Sequence, residues 1–119
     1  MSLQNQGKPA RIKSVWGHNS GTAAETVYTC PKNCLAEITF IHVVNGGSST
    51  NTVEVEWYVK ADNYTSHFLK GKSINAGDYV NFNGIDLVLQ AGDELRVTPS
   101  SAGHIDTIVT ITETLVPVG

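Results

Sequence analysis

Charge is scarce in this sequence. Asp, Glu, Lys and Arg make up 16% of its 119 residues, where an average globular protein carries about a quarter. The 8 basic and 11 acidic residues leave a net charge of −3 and gather into no cluster of either sign. Nucleic-acid binding needs a basic stripe to displace counterions from phosphates, so that function class is excluded. Apolar runs are short, and none approaches the length of a membrane span, which argues against an integral membrane protein. The opening Met1-Ser2-Leu3-Gln4-Asn5-Gln6-Gly7-Lys8-Pro9 lacks the apolar core of a secretory leader, so the expected site of synthesis and assembly is the cytoplasm. Helical periodicity is missing as well: no stretch repeats its apolar residues every three to four positions.

What is present is a polar, weakly charged surface around an ample interior. Hydrophobic residues reach 40%, and 21 Ser and Thr, 9 Asn and 11 Gly supply the rest of the character. The length fits one domain, in which folding removes roughly two-thirds of the chain's surface from water. Apolar residues are too dense and too evenly spread for a disordered chain.

A period of two dominates. From Thr52 to Lys60, Val53, Val55, Trp57 and Val59 alternate with Glu54, Glu56, Tyr58 and Lys60. Successive strand side chains point to opposite faces, which puts the Val/Trp set on a core and the Glu/Tyr/Lys set in solvent. Leu35 to Val44 is apolar on both parities, with Ile41 and Val43 on one and Ile38 and Phe40 on the other, as in a strand covered on both faces. The Gly-rich Asn45–Thr50 between these two predicts a hairpin loop using positive φ. Shorter strands are expected at Arg11–Trp16, Thr26–Cys30, Ser66–Lys70, Tyr79–Asn83, Ile85–Gln90, Glu94–Thr98 and Ile105–Leu115. Ala76-Gly77-Asp78 and Ala91-Gly92-Asp93 read as turns whose Asp accepts backbone hydrogen bonds. The fold class is therefore all-β: a single β-sandwich, jelly-roll or Ig-like, of about eight short, mainly antiparallel strands. It spans residues 10–115, preceded by an N-terminal arm over 1–9 and followed by an apolar tail over 116–119.

Candidates for chemistry are few. Cys30-Pro31-Lys32-Asn33-Cys34 sets two thiols across a short turn; if the turn closes a hairpin they are a candidate disulfide, and otherwise two ordinary thiols. A zinc site would need two further ligands, and no second Cys pair or close His pair supplies them. His18, His42, His67 and His104 are scattered, and no Gly-x-Ser-x-Gly elbow accompanies them. Glu54 and Glu56 share a strand face at a separation a glycosidase pair could use, though a solvated face with Tyr58 and Lys60 accounts for them better. No catalytic residue, metal or cofactor is assigned. Tyr58, Tyr64 and Phe68, with Trp16, would form a sugar-stacking platform if they shared an exposed face.

The order Val27-Tyr28-Thr29-Cys30-Pro31, Ala36-Glu37-Ile38 and Ile41-His42-Val43-Val44-Asn45 resembles small virion structural proteins of tailed bacteriophages. So do Phe68-Leu69, Gly71, Ser73-Ile74, the two Ala-Gly-Asp turns, Leu87-Val88-Leu89, Glu94–Val97 and Ser101–Asp106 running into Ile108–Glu113. The resemblance covers about residues 26–114 and rests on strand-and-turn patterns rather than on chemistry. It implies a non-enzymatic β-sandwich on the head surface, at the neck or in the tail of a virion. Cys34 departs from the pattern, as a staple peculiar to this chain or a link between subunits. The reading adopted is a head decoration or cement protein assembling as a homo-oligomer on the major capsid protein or other virion proteins. Its expected contacts are Leu3, Lys8, Pro9, Leu115, Val116, Val118 and the edge strands. The alternative is a tail or neck component, including an adsorption module that binds host glycan through Tyr58, Tyr64 and Phe68. A free carbohydrate-binding module and a small hydrolase rank behind these.

Overall fold

Alternating apolar residues and frequent turns build strands throughout. A computed structural model describes residues 10–116, and every regular element among them is a strand. The eight are β1 (Ala10–Asn19), β2 (Glu25–Thr29), β3 (Cys34–Asn45), β4 (Asn51–Val59), β5 (Tyr64–Ile74), β6 (Tyr79–Gln90), β7 (Glu94–Pro99) and β8 (Ile105–Leu115). They form two four-stranded sheets of order β1-β8-β3-β6 and β2-β7-β4-β5, antiparallel throughout. This is the jelly-roll member of the expected pair of architectures. Of consecutive strands, only β4 and β5 pair with each other; every other connection crosses between the sheets.

The core lies between the sheets. Ile38, Ile41, Val43, Leu89, Ile105, Val109 and Ile111 from one sheet meet Val53, Val55, Leu95 and Val97 from the other, all fully enclosed. Trp57 keeps the inward parity read from the sequence but is only half-buried at the end of β4, packed against the core.

Three expectations are corrected by this topology. Asn45–Thr50 is not a hairpin loop, because β3 and β4 belong to different sheets, and its glycines are not among those at positive φ. Tyr79–Asn83 and Ile85–Gln90 are one strand, β6, which passes Gly84 at φ 63° opposite the irregularity in β3. That irregularity, between Ile38 and Phe40, also overturns the grouping of Ile38 with Phe40 on one face. One extra residue in a strand exchanges its faces, so Ile38, Ile41 and Val43 all point inward. Phe40, His42 and Val44 are left on the outside.

Candidate interaction surface

Antiparallel register carries cross-strand neighbours along a row, and on the outer face of the β1-β8-β3-β6 sheet those rows set large apolar side chains among polar ones. Trp16 lies opposite Ile108, Ile108 opposite His42, and His42 opposite Asn81. The flanking rows are His18, Asp106, Val44 and Tyr79 on one side and Ser14, Thr110, Phe40 and Asn83 on the other. Beyond them, Ile12 and Thr112 align with Glu37 and Val88. Trp16 is 76% exposed, Ile12 75%, Tyr79 53% and Ile108 44%. Phe40 stacks on His42 with ring centroids 6.1 Å apart, and His42 lies 5.0 Å from Tyr79, so the aromatic residues form a continuous strip. The β3 run that reads as covered on both faces is thus covered by this chain on its inner face alone.

The other outer face is polar. Glu54 and Glu56 on β4 bracket His67 on β5, whose Nε2 lies 3.2 Å from Glu54 Oε1 and 3.4 Å from Glu56 Oε2. Thr98 donates its hydroxyl to Glu56, Arg96 pairs with Glu94 at 2.9 Å, and Thr26 donates to the same carboxylate. Hydrogen bonds from Arg96 and Thr26 outweigh the burial that would raise the Glu94 carboxyl and hold it below its ordinary range. The two faces therefore differ in kind, the one charged and internally paired, the other carrying exposed aromatic and aliphatic side chains, with His18–Asp106 and Ser14–Thr110 as its side-chain pairs.

The residues proposed for glycan stacking do not share a face. Phe68 packs edge-to-face on Phe82 with centroids 5.1 Å apart, against the core, because the register of β5 shifts beside it. Tyr58 is outward but occupied: the Arg96 guanidinium sits 4.3 Å over its ring, and its hydroxyl donates to Asn63. Tyr64 is exposed at the start of β5.

Cys30 and Cys34 are free thiols. The turn joining them crosses from β2 in one sheet to β3 in the other, so no hairpin brings the sulfurs together. Cys30 is buried, with its sulfur 3.4 Å from the Cys34 carbonyl oxygen, and burial pushes its thiol up to about 11. Leu115 and Val116 are exposed at the end of β8, where Leu115, Arg11, Cys34 and Glu113 line a cleft of about 220 Å³. Leu3, Lys8, Pro9 and Val118 lie outside the described residues. What sequence reasoning missed is the outward strip itself; the apolar both-parity run was its trace, but the bulge that selects Phe40, His42 and Val44 has no local signature.

No protein-family model matches the chain, and no curated protein matches it in sequence. Similar solved structures do exist. A chain from the capsid of Helicobacter pylori bacteriophage KHP30 is similar at TM-score 0.57 and 12% identity, over 95% of this chain and 97% of that one. A chain from the disulfide-linked pili of Bacillus endospore appendages matches at TM-score 0.56 and 11% identity, over 98% and 97% respectively. A chain from infectious bursal disease virus, Gx strain, matches at TM-score 0.57 and 9% identity, over 92% of this chain but 32% of that one. At such identities the likeness is one of fold: this chain is a jelly roll of the kind found in those assemblies.

Proposed function

We propose that this protein is a structural component of a bacteriophage virion, a head decoration or cement protein that assembles as an oligomer on the capsid. The observation that carries this reading is the apolar outer face of the β1-β8-β3-β6 sheet, where Trp16, Ile108, Phe40, His42, Val44 and Tyr79 lie on one rigid surface. Contiguous apolar surface of this kind marks a contact site, because leaving it in water forgoes the free energy of its burial. Its occupant is a neighbouring shell protein, the major capsid protein in this reading, with an apolar surface of its own to bury. Charge plays little part in the match, since the charged residues, Glu37, Asp86 and the paired Asp106, lie near the strip's margins.

The whole-length likeness to a chain of a phage capsid supports a shell over a free binding module. Each contact need only be modest, because a shell presents many copies at once. Edge strands β1 and β6 offer free N–H and C=O groups for strand addition by neighbours. Residues 1–9, with Leu3, Lys8 and Pro9, and the tail, with Leu115, Val116 and Val118, extend the same contacts in this reading. A tail or neck position is the competing placement.

The test is to add purified protein to particles lacking it and image them by electron cryomicroscopy. Regular density over the head, lost with Trp16→Ser, is the expected result. Density confined to the tail or neck would replace decoration with the competing placement. No density on particles would overturn the virion reading.

A further inference from the structure

Two histidines far apart in the sequence converge on one carboxylate at the end of the sandwich. His18 on β1 stands opposite Asp106 on β8 in the strand register, with its Nδ1 2.6 Å from Asp106 Oδ1 and 88 positions between them along the chain. His104, just before β8, lies edge-on to His18 with ring centroids 4.8 Å apart. One donor atom from each of the three falls within 4.8 Å of the other two. We propose that His18, His104 and Asp106 form a binding site for a divalent transition-metal ion of the zinc class.

The donor set is right for that chemistry. Two imidazole nitrogens and one carboxylate oxygen suit a borderline ion such as zinc, whereas calcium and magnesium require oxygen ligands alone. Bonds of about 2.0–2.2 Å to one tetrahedral ion set the donors about 3.4 Å apart, so the His18–Asp106 pair opens from 2.6 Å while His104 closes in from within 4.8 Å, movements open to side chains that are half-exposed or exposed. In the hydrogen bond to Asp106 the proton is on His18 Nδ1; on coordination that proton leaves to solvent, Nδ1 turns its lone pair to the ion, and the neutral ring carries its one proton on Nε2.

The framework is rigid where it must be. His18 and Asp106 are held by the strand ladder, and His104 is held from both sides. The Gly103 N–H donates to the Ser20 carbonyl, and the His104 carbonyl accepts from the Gly46 N–H. Behind them, Asn45 and Asn51 fasten the adjoining loops, Asn45 donating to the Ser49 and Ile74 carbonyls and Asn51 to the Ser101 carbonyl. A polar cleft of about 230 Å³ opens beside His104, so the remaining coordination positions face water or a neighbouring molecule. His18 and Asp106 lie in the same cross-strand row as Val44 and Tyr79, so the site is continuous with the apolar strip.

A second cluster, Glu54, Glu56 and His67, has one nitrogen among three donors. Its geometry is already explained as an imidazole held between two carboxylates, one of them also bonded to Thr98.

The test is a calorimetric titration of the full, metal-stripped chain with Zn2+, repeated with Co2+ while the visible ligand-field absorption is read. One ion per chain is expected, with the heat of binding saturating at one equivalent. His104→Ala and Asp106→Asn should each weaken binding by at least roughly tenfold, since losing a ligand costs no less than losing its outer support. His104 is exposed, so the His104→Ala chain should melt as the parent does without metal, which separates lost binding from lost folding. His67→Ala should bind like the parent. The proposal is overturned by a titration without saturation, by a His104→Ala chain that binds as the parent does, or by binding that disappears with His67→Ala instead.

Discussion

The Tyr28 hydroxyl donates to the Glu113 carboxylate at 2.5 Å, tying β2 of one sheet to β8 of the other. Glu113 has inward parity on β8 and is 4% exposed, a carboxylate enclosed at the end of an apolar core. Arg11 Nη2 at 3.0 Å and Lys13 Nζ at 3.1 Å complete its shell from β1, the strand alongside. Burial alone would raise this carboxyl, but hydrogen bonds from Tyr28, Arg11 and Lys13 outweigh it and hold it at about 2. The same pairing, after burial, pushes the Tyr28 hydroxyl well above its ordinary range.

That depression makes the fold acid-sensitive in a defined window. A carboxyl bound more tightly as the anion in the folded state stabilises fully above its unfolded value near 4.5 and loses the contribution as pH falls towards 2. Glu113→Gln should lower stability at pH 7 by about 2 kcal/mol, with the deficit closing as the parent is acidified. Urea denaturation between pH 2 and 7 measures it, and parallel curves for parent and variant would show that Glu113 is not the sensitive group.

Trp57 and Asp93 form a second tie. The Trp57 indole N–H donates to Asp93 Oδ2 at 3.1 Å, while Asp93 also accepts the backbone N–H groups of Lys60 and Gln90, both at 3.0 Å. Trp57→Phe, which keeps most of the ring's packing, should cost about 1 kcal/mol, and Trp57→Ala about 2–4 kcal/mol for a half-buried indole. Asp93→Ala should cost more than Trp57→Phe because it strands two amide groups. A double-mutant cycle of Trp57→Phe with Asp93→Ala checks the coupling, and strictly additive losses would contradict a direct bond.

Trp16 should behave in the opposite way. Its side chain stands in solvent, so Trp16→Ser should leave stability within about 0.5 kcal/mol of the parent. Particle incorporation should fall by about tenfold or more, as for an aromatic anchor worth about 2 kcal/mol at the centre of an interface. Thermal melts paired with co-sedimentation read both quantities, and unchanged incorporation would remove the apolar strip from the contact.

The thiols should differ in reactivity. Cys30 is buried with its proton held to about 11, whereas Cys34 is half-buried at the start of β3. Only the thiolate reacts, so native alkylation at pH 8 followed by intact-mass measurement should add one adduct quickly, at Cys34, and the second only on unfolding. A chain that accepts no adduct until reduced would show a bridge between them.

The amino-acid sequence alone determined that this protein is all-β, since alternation is a local property that each strand carries for itself. Val53, Val55 and the turn residues Asp78 and Asp93 have the roles their neighbours predict: Asp78 accepts the Tyr79 N–H and Asp93 the Gln90 N–H. The tertiary structure decided which strands are partners, because pairing across a sandwich depends on contacts between distant segments that no local pattern encodes. It crossed β2–β3 and β3–β4 between sheets, which separated the cysteines and removed the expected hairpin. One bulge after Ile38 turned Phe40 from the core to the surface and completed the aromatic strip. The same long-range register set His18 opposite Asp106 and brought His104 beside them, a pair of histidines with no proximity in the chain. Strand-making is governed by alternation between nearest neighbours, and site-making by register, which is fixed only when the two sheets close on their common core.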